Sequence, residues 1–363
     1  MNILVLNYEY PPLGGGGAAV TKPLCECLAR EGHRVTVVTM GFGELPPREV
    51  VNGVTVERVK CWRTKQRVCH PWEQFSYCVR AWQHITRHLD PKSFDCIHCH
   101  FIIPTGLLAL WLNRKYGLPY LLTAHGSDVI GHNKSRFALL YKLVSPGWKA
   151  IVNHAAAVTA PSRYLIDKIH ETSPRLSVEL VPNGIHTADY QPGIKEKIII
   201  TLTRLQESKG VQDLITACAG IDMKGWKVYL LGDGPYRIRL EELVRNYGLG
   251  DTIHFVGHVE GQTKLDYLSR AGGFFSGSRF EAFPVSVLEA TLCGCNVIVS
   301  DIEPHRMLAG GEHIYSSQEE LKAMLRELIS TEPQAIRYSS GDFDWKSIYP
   351  QFVRLYERIV HGE

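Results

Sequence analysis

The stretch RFEAFPVSVLEA, residues 279–290, places two carboxylates, Glu281 and Glu289, eight positions apart around an apolar run. Pro284 suits the first position of a helix, because its missing N–H would have no partner inside the helix there. Glu281 then precedes this helix, and Glu289 lies in its second turn. Free backbone N–H groups around Val285, at the helix start, favour an anion. The stretch therefore predicts a phosphate site with an acid on either side.

Each acid also has a simpler interpretation. Glu281 is favourable ahead of any helix, because its charge complements the helix dipole. Glu289 could belong to a solvated face, although its neighbours in PVSVLEATL are apolar. A carboxylate accepts from two hydroxyl groups at once. We therefore expect Glu289 to hold the two hydroxyls of a ribose, and Glu281 to hold hydroxyls on the other side of the phosphate.

Outside this stretch, apolar runs alternate with amphipathic segments along the whole chain. One series extends from NILVLNY (2–8) to AAVTAPS (156–162), and a second from KIIITLTRL (197–205) to NVIVSDI (296–302). Strands that alternate with helices are typical of doubly wound parallel sheets, which bind ligands beyond the carboxyl ends of their strands. The expected fold class is α/β, with two Rossmann-like doubly wound domains facing each other across a cleft.

A segment rich in proline, glycine and polar residues, at 181–197, predicts the domain boundary. We expect a first domain at 1–190 and a second at 191–344. The aromatic segment at about 345–363 has helical spacing and is expected to pack back on the first domain.

The composition favours a soluble globular protein. The 363 residues are 45% hydrophobic and 21% charged, and the formal net charge of +3 is too small to imply nucleic acid. The start, MNILVLNYEYPP, predicts a strand and not a signal peptide, so we expect a cytoplasmic protein. Cys96 and Cys99, beside His98 and His100, carry zinc-type ligands, but a strand would alternate their faces. We therefore expect reduced, buried thiols and no metal site.

Three loops carry candidate binding residues. Between a predicted strand and helix, four glycines leave bare backbone that a ligand can approach, although a flexible surface loop is the alternative: Gly14, Gly15, Gly16 and Gly17. The segment LTAHGSDV (122–129) places His125 and Asp128 just past a strand end. In LTRLQESKG (202–210), Arg204 and Lys209 suit a diphosphate, although a solvated loop is possible.

Taken together, these motifs resemble glycosyltransferase family 4, whose members are retaining, nucleotide-sugar-dependent enzymes with the GT-B fold. The spacing of Glu281 and Glu289 is similar to the E-x7-E motif of that family. The resemblance extends over nearly the whole chain through the glycine loop and the segments TAHGSD (123–128), VPNGI (181–185), LLGDGP (230–235) and FVGHV (255–259).

The resemblance implies roles for individual residues. The catalytic residues it implies are Glu281, His125, Arg204 and Lys209. The donor-binding residues it implies are Gly16, Gly17, Arg204, Lys209, Gly232, Val256, Gly257, His258, Glu281, Ala282, Phe283, Pro284, Val285 and Glu289. The acceptor-binding residues are Gly14, Gly15 and Asp128, so the first domain binds the acceptor and the second the donor. Family members use no catalytic metal, so no cofactor is expected beside the nucleoside-diphosphate sugar.

The implied function is retaining transfer of a sugar to a hydroxyl in polysaccharide, glycolipid or O-antigen-type biosynthesis. A GT-B sugar-nucleotide epimerase and a non-catalytic regulatory subunit that binds a nucleotide sugar are the alternatives. The segment 58–92 is basic and aromatic. It is expected either to contact an anionic membrane at the inner face and recruit a lipid-linked acceptor, or to be an ordinary solvated region. The architecture argues against nucleic acid as a partner.

Overall fold

The structure is a computed structural model that describes residues 1–66, 68–132, 138–338 and 341–362, with residues 138–144 described by their backbone. The chain divides into two compact units, one formed by Met1–Ile185 with Phe343–Glu363 and the other by His186–Asp342. The division thus falls a few residues before position 190, inside the segment where the sequence places the boundary.

The first unit is built on an eight-stranded sheet. Its strands are β1 (Asn2–Leu6), β2 (Arg34–Met40), β3 (Arg48–Val51), β4 (Val54–Val59), β5 (Cys96–His100), β6 (Tyr120–Thr123), β7 (Ala157–Ala160) and β8 (Glu179–Leu180). The order across the sheet is β3-β4-β2-β1-β5-β6-β7-β8, and all neighbours are parallel except β3 and β4. The order changes direction at β1, which lies between β2 and β5. The loops that follow β1 and β5 therefore diverge from one switch point, where ligands bind in such sheets.

Among the described residues, five helices lie between consecutive strands of this sheet: α1 (Gly16–Arg30), α2 (Pro71–His88), α3 (Thr105–Tyr116), α4 (Ala138–His154) and α5 (Arg163–Thr172). Strand β1 is almost wholly apolar, and five of the seven residues of β2 are buried, as expected where both faces of the sheet are covered.

The second unit has a six-stranded, fully parallel sheet. Its strands are β9 (Glu196–Leu202), β10 (Lys227–Leu231), β11 (Ile253–Gly257), β12 (Ala271–Ser276), β13 (Asn296–Ser300) and β14 (Ile314–Tyr315). The order is β11-β10-β9-β12-β13-β14, so this sheet changes direction between β9 and β12. The loop after β9 carries Arg204 and Lys209, and the loop after β12 carries Glu281. The topology thus brings the expected cations and one expected acid to the same switch point.

The remaining helices are α6 (Val211–Cys218), α7 (Arg237–Asn246), α8 (Gly261–Arg270), α9 (Val285–Leu292), α10 (Glu303–Ala309), α11 (Gln318–Ser330) and α12 (Trp345–His361). Helix α12 belongs to the first unit, where Trp345, Phe352 and Tyr356 join the core formed by α1 and the sheet. In the part of the chain that the structure describes, every helix is too short or too polar to cross a bilayer.

Candidate functional site

The loops after β9 and β12 are held together by a close backbone contact. Gly210 has a φ of +66°, and a Cβ at this position would lie 1.9 Å from the carbonyl oxygen of Gly277. The N–H of Arg279 also donates to the carbonyl oxygen of Ser208 at 2.8 Å. Only glycine allows this approach, because any side chain at position 210 would force the loops apart. The contact positions Lys209 against Glu281.

Lys209 and Glu281 form an ion pair, with Nζ 2.5 Å from Oε1. The Ser278 hydroxyl donates to the same oxygen at 2.7 Å. Burial opposes ionisation of Glu281, but the charge and hydrogen bond of Lys209 and the bond from Ser278 outweigh it, and its pKa lies below the usual range. Arg204 is exposed and has no ion pair with a described residue. The loop thus presents one cation that is engaged with an acid and one that is available to an anion.

Glu289 is buried in α9 with only 6% of its surface exposed, so it does not belong to a solvated face. Its Oε1 accepts from the Tyr190 hydroxyl and from Lys264 Nζ, each at 2.7 Å. No described residue donates to Oε2. A buried carboxylate with one oxygen held and one oxygen unused can accept a hydroxyl from a ligand. Sequence reasoning missed Tyr190 and Lys264, since neither belongs to a motif that it identified.

The start of α9 differs from the expectation. Pro284 has φ −86° and ψ 75° and precedes the helix, whereas the sequence placed it at the first helical position. These angles are those of an inverse γ-turn, whose closing hydrogen bond runs from Val285 N–H to the Phe283 carbonyl at 3.0 Å. The N–H of Val285 is therefore not free. Ser286 is the first residue of this helix whose N–H donates to no described residue.

The loops after β10 and β11 lie beside the loop after β9. Gly232 has a φ of +141°, and a Cβ there would lie 1.8 Å from the carbonyl oxygen of Thr203. Its N–H donates to the carbonyl oxygen of Gly257 at 2.7 Å. Val256 is 37% exposed, and His258 Nε2 lies 3.2 Å from Glu260 Oε2. Gly232, Gly257 and the Arg204 loop are thus brought together, and the side chains of Val256 and His258 face solvent near them.

A buried histidine that the sequence analysis did not single out supports the Glu281 loop. His305 Nδ1 lies 2.9 Å from the carbonyl oxygen of Ser300, so Nδ1 carries the hydrogen and Nε2 accepts from the Ser276 hydroxyl at 3.2 Å. Burial lowers the pKa of His305, which keeps the ring neutral. The Ser300 hydroxyl donates to the carbonyl oxygen of Ser278 at 2.6 Å. These bonds fix the turn from which Ser278 reaches Glu281.

In the first unit, the glycine loop packs against Glu9 and Phe101 rather than lying loosely on the surface. Glu9 Oε2 accepts the N–H of Gly15 at 3.0 Å, and burial raises the pKa of Glu9. A Cβ at Gly14 would lie 2.5 Å from Glu9 Cβ, and one at Gly17 would lie 2.4 Å from Phe101 Cζ. Positions 15 and 16 have open space around a built Cβ. The loop thus has two packed glycines and two that leave room for a ligand. The sequence did not identify Glu9 as the residue that holds this loop.

Three histidines form a row behind this loop, of which His98 and His100 are buried and His125 is half-buried. His100 Nδ1 lies 3.0 Å from His125 Nε2, and the rings of His98 and His100 stack with centroids 4.1 Å apart. His98 Nδ1 lies 2.7 Å from the Tyr356 hydroxyl, and Nε2 lies 2.8 Å from the Thr123 hydroxyl. Burial lowers the pKa of His98 to about 3 and that of His125 to about 4, so both rings are neutral at physiological pH.

The contact between His100 and His125 indicates which nitrogen of His125 carries the hydrogen. His100 Nε2 is buried and has no partner among the described residues. A buried N–H without an acceptor is rarer and costlier than a buried acceptor without a donor. The hydrogen of His100 is therefore on Nδ1, from which it is donated to His125 Nε2. His125 then carries its own hydrogen on Nδ1 and is a hydrogen-bond donor there.

Asp128 is buried and uses both carboxylate oxygens on backbone groups. Oδ1 accepts from the N–H of His125 at 3.0 Å, and Oδ2 accepts from the N–H of Ile102 at 2.7 Å. Burial raises its pKa to about 6. These bonds position His125 relative to the loop after β5. An acceptor contact through Asp128 stays a prediction that this geometry does not favour.

The remaining predicted site residues, Ala282 and Phe283, lie in the loop between β12 and α9, half-buried and buried respectively. Of the cysteines weighed as metal ligands, Cys96 and Cys99 are buried in β5. Within the described residues, no three His, Cys, Asp or Glu side chains are grouped closely enough to hold a metal ion.

Two domain families match consecutive parts of this chain. Residues 14–189 match Glycosyltransferase Family 4, and residues 186–340 match Glycosyl transferases group 1. An uncharacterized glycosyltransferase of Methanocaldococcus jannaschii is 28% identical over 83% of this chain and 81% of its own length. An alpha-monoglucosyldiacylglycerol synthase of Streptococcus pneumoniae is 24% identical over 91% of this chain and 79% of its own.

Solved structures show the same fold. A sucrose-phosphate synthase from Thermosynechococcus elongatus superposes with a TM-score of 0.83 at 20% identity and covers 100% of both chains. The Anabaena protein HepE, solved in complex with UDP and glucose, superposes with a TM-score of 0.76 at 16% identity over 98% of this chain and 99% of its own. The expectation of an α/β protein with the GT-B fold is confirmed.

Proposed function

Because this chain belongs to the glycosyltransferases that join a family 4 domain to a group 1 domain, we propose that it transfers a sugar from a nucleoside-diphosphate sugar to an acceptor hydroxyl with retention of configuration. The observation that carries the proposal is the meeting of Lys209 and Glu281 at the switch point of the second sheet. Arg204 lies on the same loop as Lys209, and Glu289 projects from the helix that follows Glu281.

The two cations supply the charge that a departing diphosphate needs. Lys209 has three donors, so it can keep its bond to Glu281 and donate to a phosphate oxygen as well. Arg204 adds a planar fork that fits two phosphate oxygens, and the N–H of Ser286 adds a neutral donor at a helix start. Fixed positive charge at the leaving group is the largest contribution such a site makes to catalysis. We therefore assign this neutralisation to side chains and propose no cofactor.

Glu289 is assigned to the ribose and Glu281 to hydroxyls of the transferred sugar. The unused Oε2 of Glu289 is available to a ribose hydroxyl, while Tyr190 and Lys264 hold Oε1 in place. In the first unit, His125 is assigned to the transferred sugar as a donor from Nδ1. The presence of UDP and glucose in the HepE structure supports a nucleotide-sugar donor.

In the proposed reaction, the nucleoside diphosphate leaves the anomeric carbon and an oxocarbenium-like sugar forms. The acceptor hydroxyl then attacks from the face that the diphosphate has left and gives its proton to the departing diphosphate, so the configuration is retained. Glu281 is ionised by its partners and is suited to hold sugar hydroxyls while positive charge develops. Loss of either cation should therefore lower the rate of bond cleavage as well as the affinity for the donor.

The acceptor is proposed to be lipid-linked, at the inner face of a membrane, with the protein in the cytoplasm. The streptococcal relative is named for a diacylglycerol glycolipid. Within the segment 58–92, Trp62, Trp72 and Phe75 are 71%, 57% and 59% exposed, as suits side chains that enter a membrane interface. The basic and aromatic segment also includes Tyr77 and Arg67. Tyr77 is buried and donates to the Val38 carbonyl, so it does not belong to the exposed surface, and Arg67 lies outside the described residues.

The experiment that tests the function begins with a thermal-shift screen of nucleoside diphosphates and their sugars on the purified protein. Calorimetry with the best ligand should show lost affinity in Lys209→Ala and in Glu289→Ala, whereas the matched change Lys322→Ala in α11 should bind normally. Unchanged binding in both site variants would refute the site. NMR of the product then gives its anomeric configuration. An epimerised donor would favour the sugar-nucleotide epimerase, and a donor that binds but is not converted would favour the non-catalytic regulatory subunit.

A further inference from the structure

A second group of cations in the first unit lies apart from the residues discussed so far. A cavity of about 340 Å³ opens between the β3–β4 edge of the sheet and the C-terminal half of α2. Its lining includes four exposed cations, two histidines and one acid: Arg48, Lys60, Arg80, Arg87, His84, His88 and Glu57. None of the predicted donor or acceptor residues lines it.

The acids near this cavity are already engaged. Glu57 is buried, with Oε1 3.2 Å from Arg48 Nε and Oε2 3.2 Å from His84 Nε2. Glu49 Oε1 lies 2.5 Å from the guanidinium of Arg58, which forms part of the cavity wall and is 6% exposed. The positive charge of the cavity therefore exceeds the negative charge that the fold supplies.

Three cations remain without a counter-ion. Among the described residues, no acid lies within ion-pair distance of Lys60, Arg80 or Arg87; Arg80 donates only to the amide oxygen of Gln83, at 3.3 Å. In addition, Nε of the buried Arg58 has no hydrogen-bond partner among the described residues. A buried donor without a partner costs stability, and like charges at close range repel. Both observations indicate an anion that the protein alone does not provide.

We propose that this cavity binds a phosphate group, supplied by the headgroup of an anionic lipid. Arginine forks and a lysine match the several oxygens of a phosphate better than the two of a carboxylate. The exposed Trp72 and Phe75 begin the same helix whose later turns carry Arg80 and Arg87. Aromatic side chains beside cations are the combination that a lipid–water interface favours, whereas a free phosphate would need only the cations.

The inference deepens the membrane contact proposed above and rests on it, but it does not depend on the donor chemistry. Two double variants test it: R80Q/R87Q inside the cavity and K65Q/K92Q as a control. Lys65 and Lys92 are exposed, belong to the same basic segment and do not line the cavity. Both variants lose two positive charges, so general attraction to a charged surface falls equally in each.

Flotation with phosphatidylcholine vesicles that contain phosphatidylglycerol gives the readout. General attraction is worth about fivefold in affinity per cation, so the control should weaken about thirtyfold. The cavity variant should weaken at least about tenfold more than the control, because it also loses hydrogen bonds to the phosphate. Equal losses in the two variants, with no stabilisation of the wild type by inorganic phosphate, would overturn the proposal.

Thermal unfolding with inorganic phosphate distinguishes the two sources of the ligand. Stabilisation of the wild type but not of R80Q/R87Q, together with equal vesicle losses, would keep the phosphate site and overturn the lipid as its source. UDP binding by the wild type, measured in the same preparation, tests the donor proposal separately. The membrane site and the transferase site can therefore fail independently.

Discussion

The pair formed by Lys209 and Glu281 allows the sharpest test of the candidate site. Lys209→Met removes the charge and keeps the length of the side chain, while Ser278 still donates to Glu281. The two side chains are 22% and 19% exposed, so most of the pair is shielded from water. Breaking a charged hydrogen bond and leaving the acid with one neutral donor costs about 2 kcal/mol of unfolding free energy. If the ion pair were fully buried, removing one partner would cost about 3–5 kcal/mol of unfolding free energy.

A double-mutant cycle measures this energy. Glu281→Gln should cost about 1 kcal/mol, because Lys209 can still reach water. The double variant should be more stable than the sum of the two losses predicts, by about 1 kcal/mol, since neither charge is then left alone. Urea unfolding of the four proteins gives the coupling. Additive losses, within about 0.5 kcal/mol, would show that the two side chains do not stabilise each other.

The same four proteins separate the roles of the two residues in function. Lys209→Met should weaken calorimetric binding of the nucleoside diphosphate by about tenfold to a hundredfold, the range for a lost charged hydrogen bond. Glu281→Gln should leave that affinity unchanged or raise it, because it removes the acid that competes for Lys209, yet it should lower transfer. Equal weakening of diphosphate binding in both variants would refute the assignment of Glu281 to the sugar.

Three further predictions follow from the site geometry. Gly17→Ala should cost about 1–3 kcal/mol in urea unfolding, because its Cβ would lie 2.4 Å from the Phe101 ring, whereas Gly16→Ala, with open space around it, should not. Since burial lowers the pKa of His98 to about 3 from 6.5, the unfolded chain takes up the proton first as the pH falls. The resulting stability loss, about 2 kcal/mol by about pH 5, should disappear from the pH profile of His98→Gln. Removing ribose hydroxyls from the nucleotide should weaken its binding to the wild type but not to Glu289→Gln, and equal weakening in both would contradict the ribose assignment.

The alternation of apolar runs with amphipathic segments was enough to predict the sheets. NILVLNY (2–8) contains β1 and NVIVSDI (296–302) contains β13, because parallel strands covered on both faces are mostly apolar. Strand β3 was missed because its four residues, REVV, form an antiparallel edge that is largely exposed. The hydropathy pattern of a sequence identifies strands that are covered on both faces well, and short exposed edge strands poorly.

The site was predictable only as far as its motifs extend along the chain. The acids and cations were identified from their spacing and from strand ends, but their partners were not. Tyr190 lies 99 positions from Glu289, and Lys264 lies 25 positions away. Glu9 accepts a hydrogen bond from the N–H of Gly15 in the glycine loop, yet no local sequence pattern distinguishes it from a solvated acid. Such partners are set by tertiary packing, which a single sequence does not encode in any local pattern.

Glu9 on the N–H of Gly15 and Glu281 on Lys209 share one consequence. Carboxylates of the protein itself hold the N–H of Gly15 and the ammonium group of Lys209, two donors that the proposed ligands would otherwise contact. They act as resident counter-ions, so chloride or acetate gains little by replacing them. We expect the proposed diphosphate, which has more charge and more oxygens, to share or take over the ammonium group of Lys209, and Glu281 to regain it when the product departs. Competition between these carboxylates and the ligand would then explain both the selectivity of the site and the release of its product.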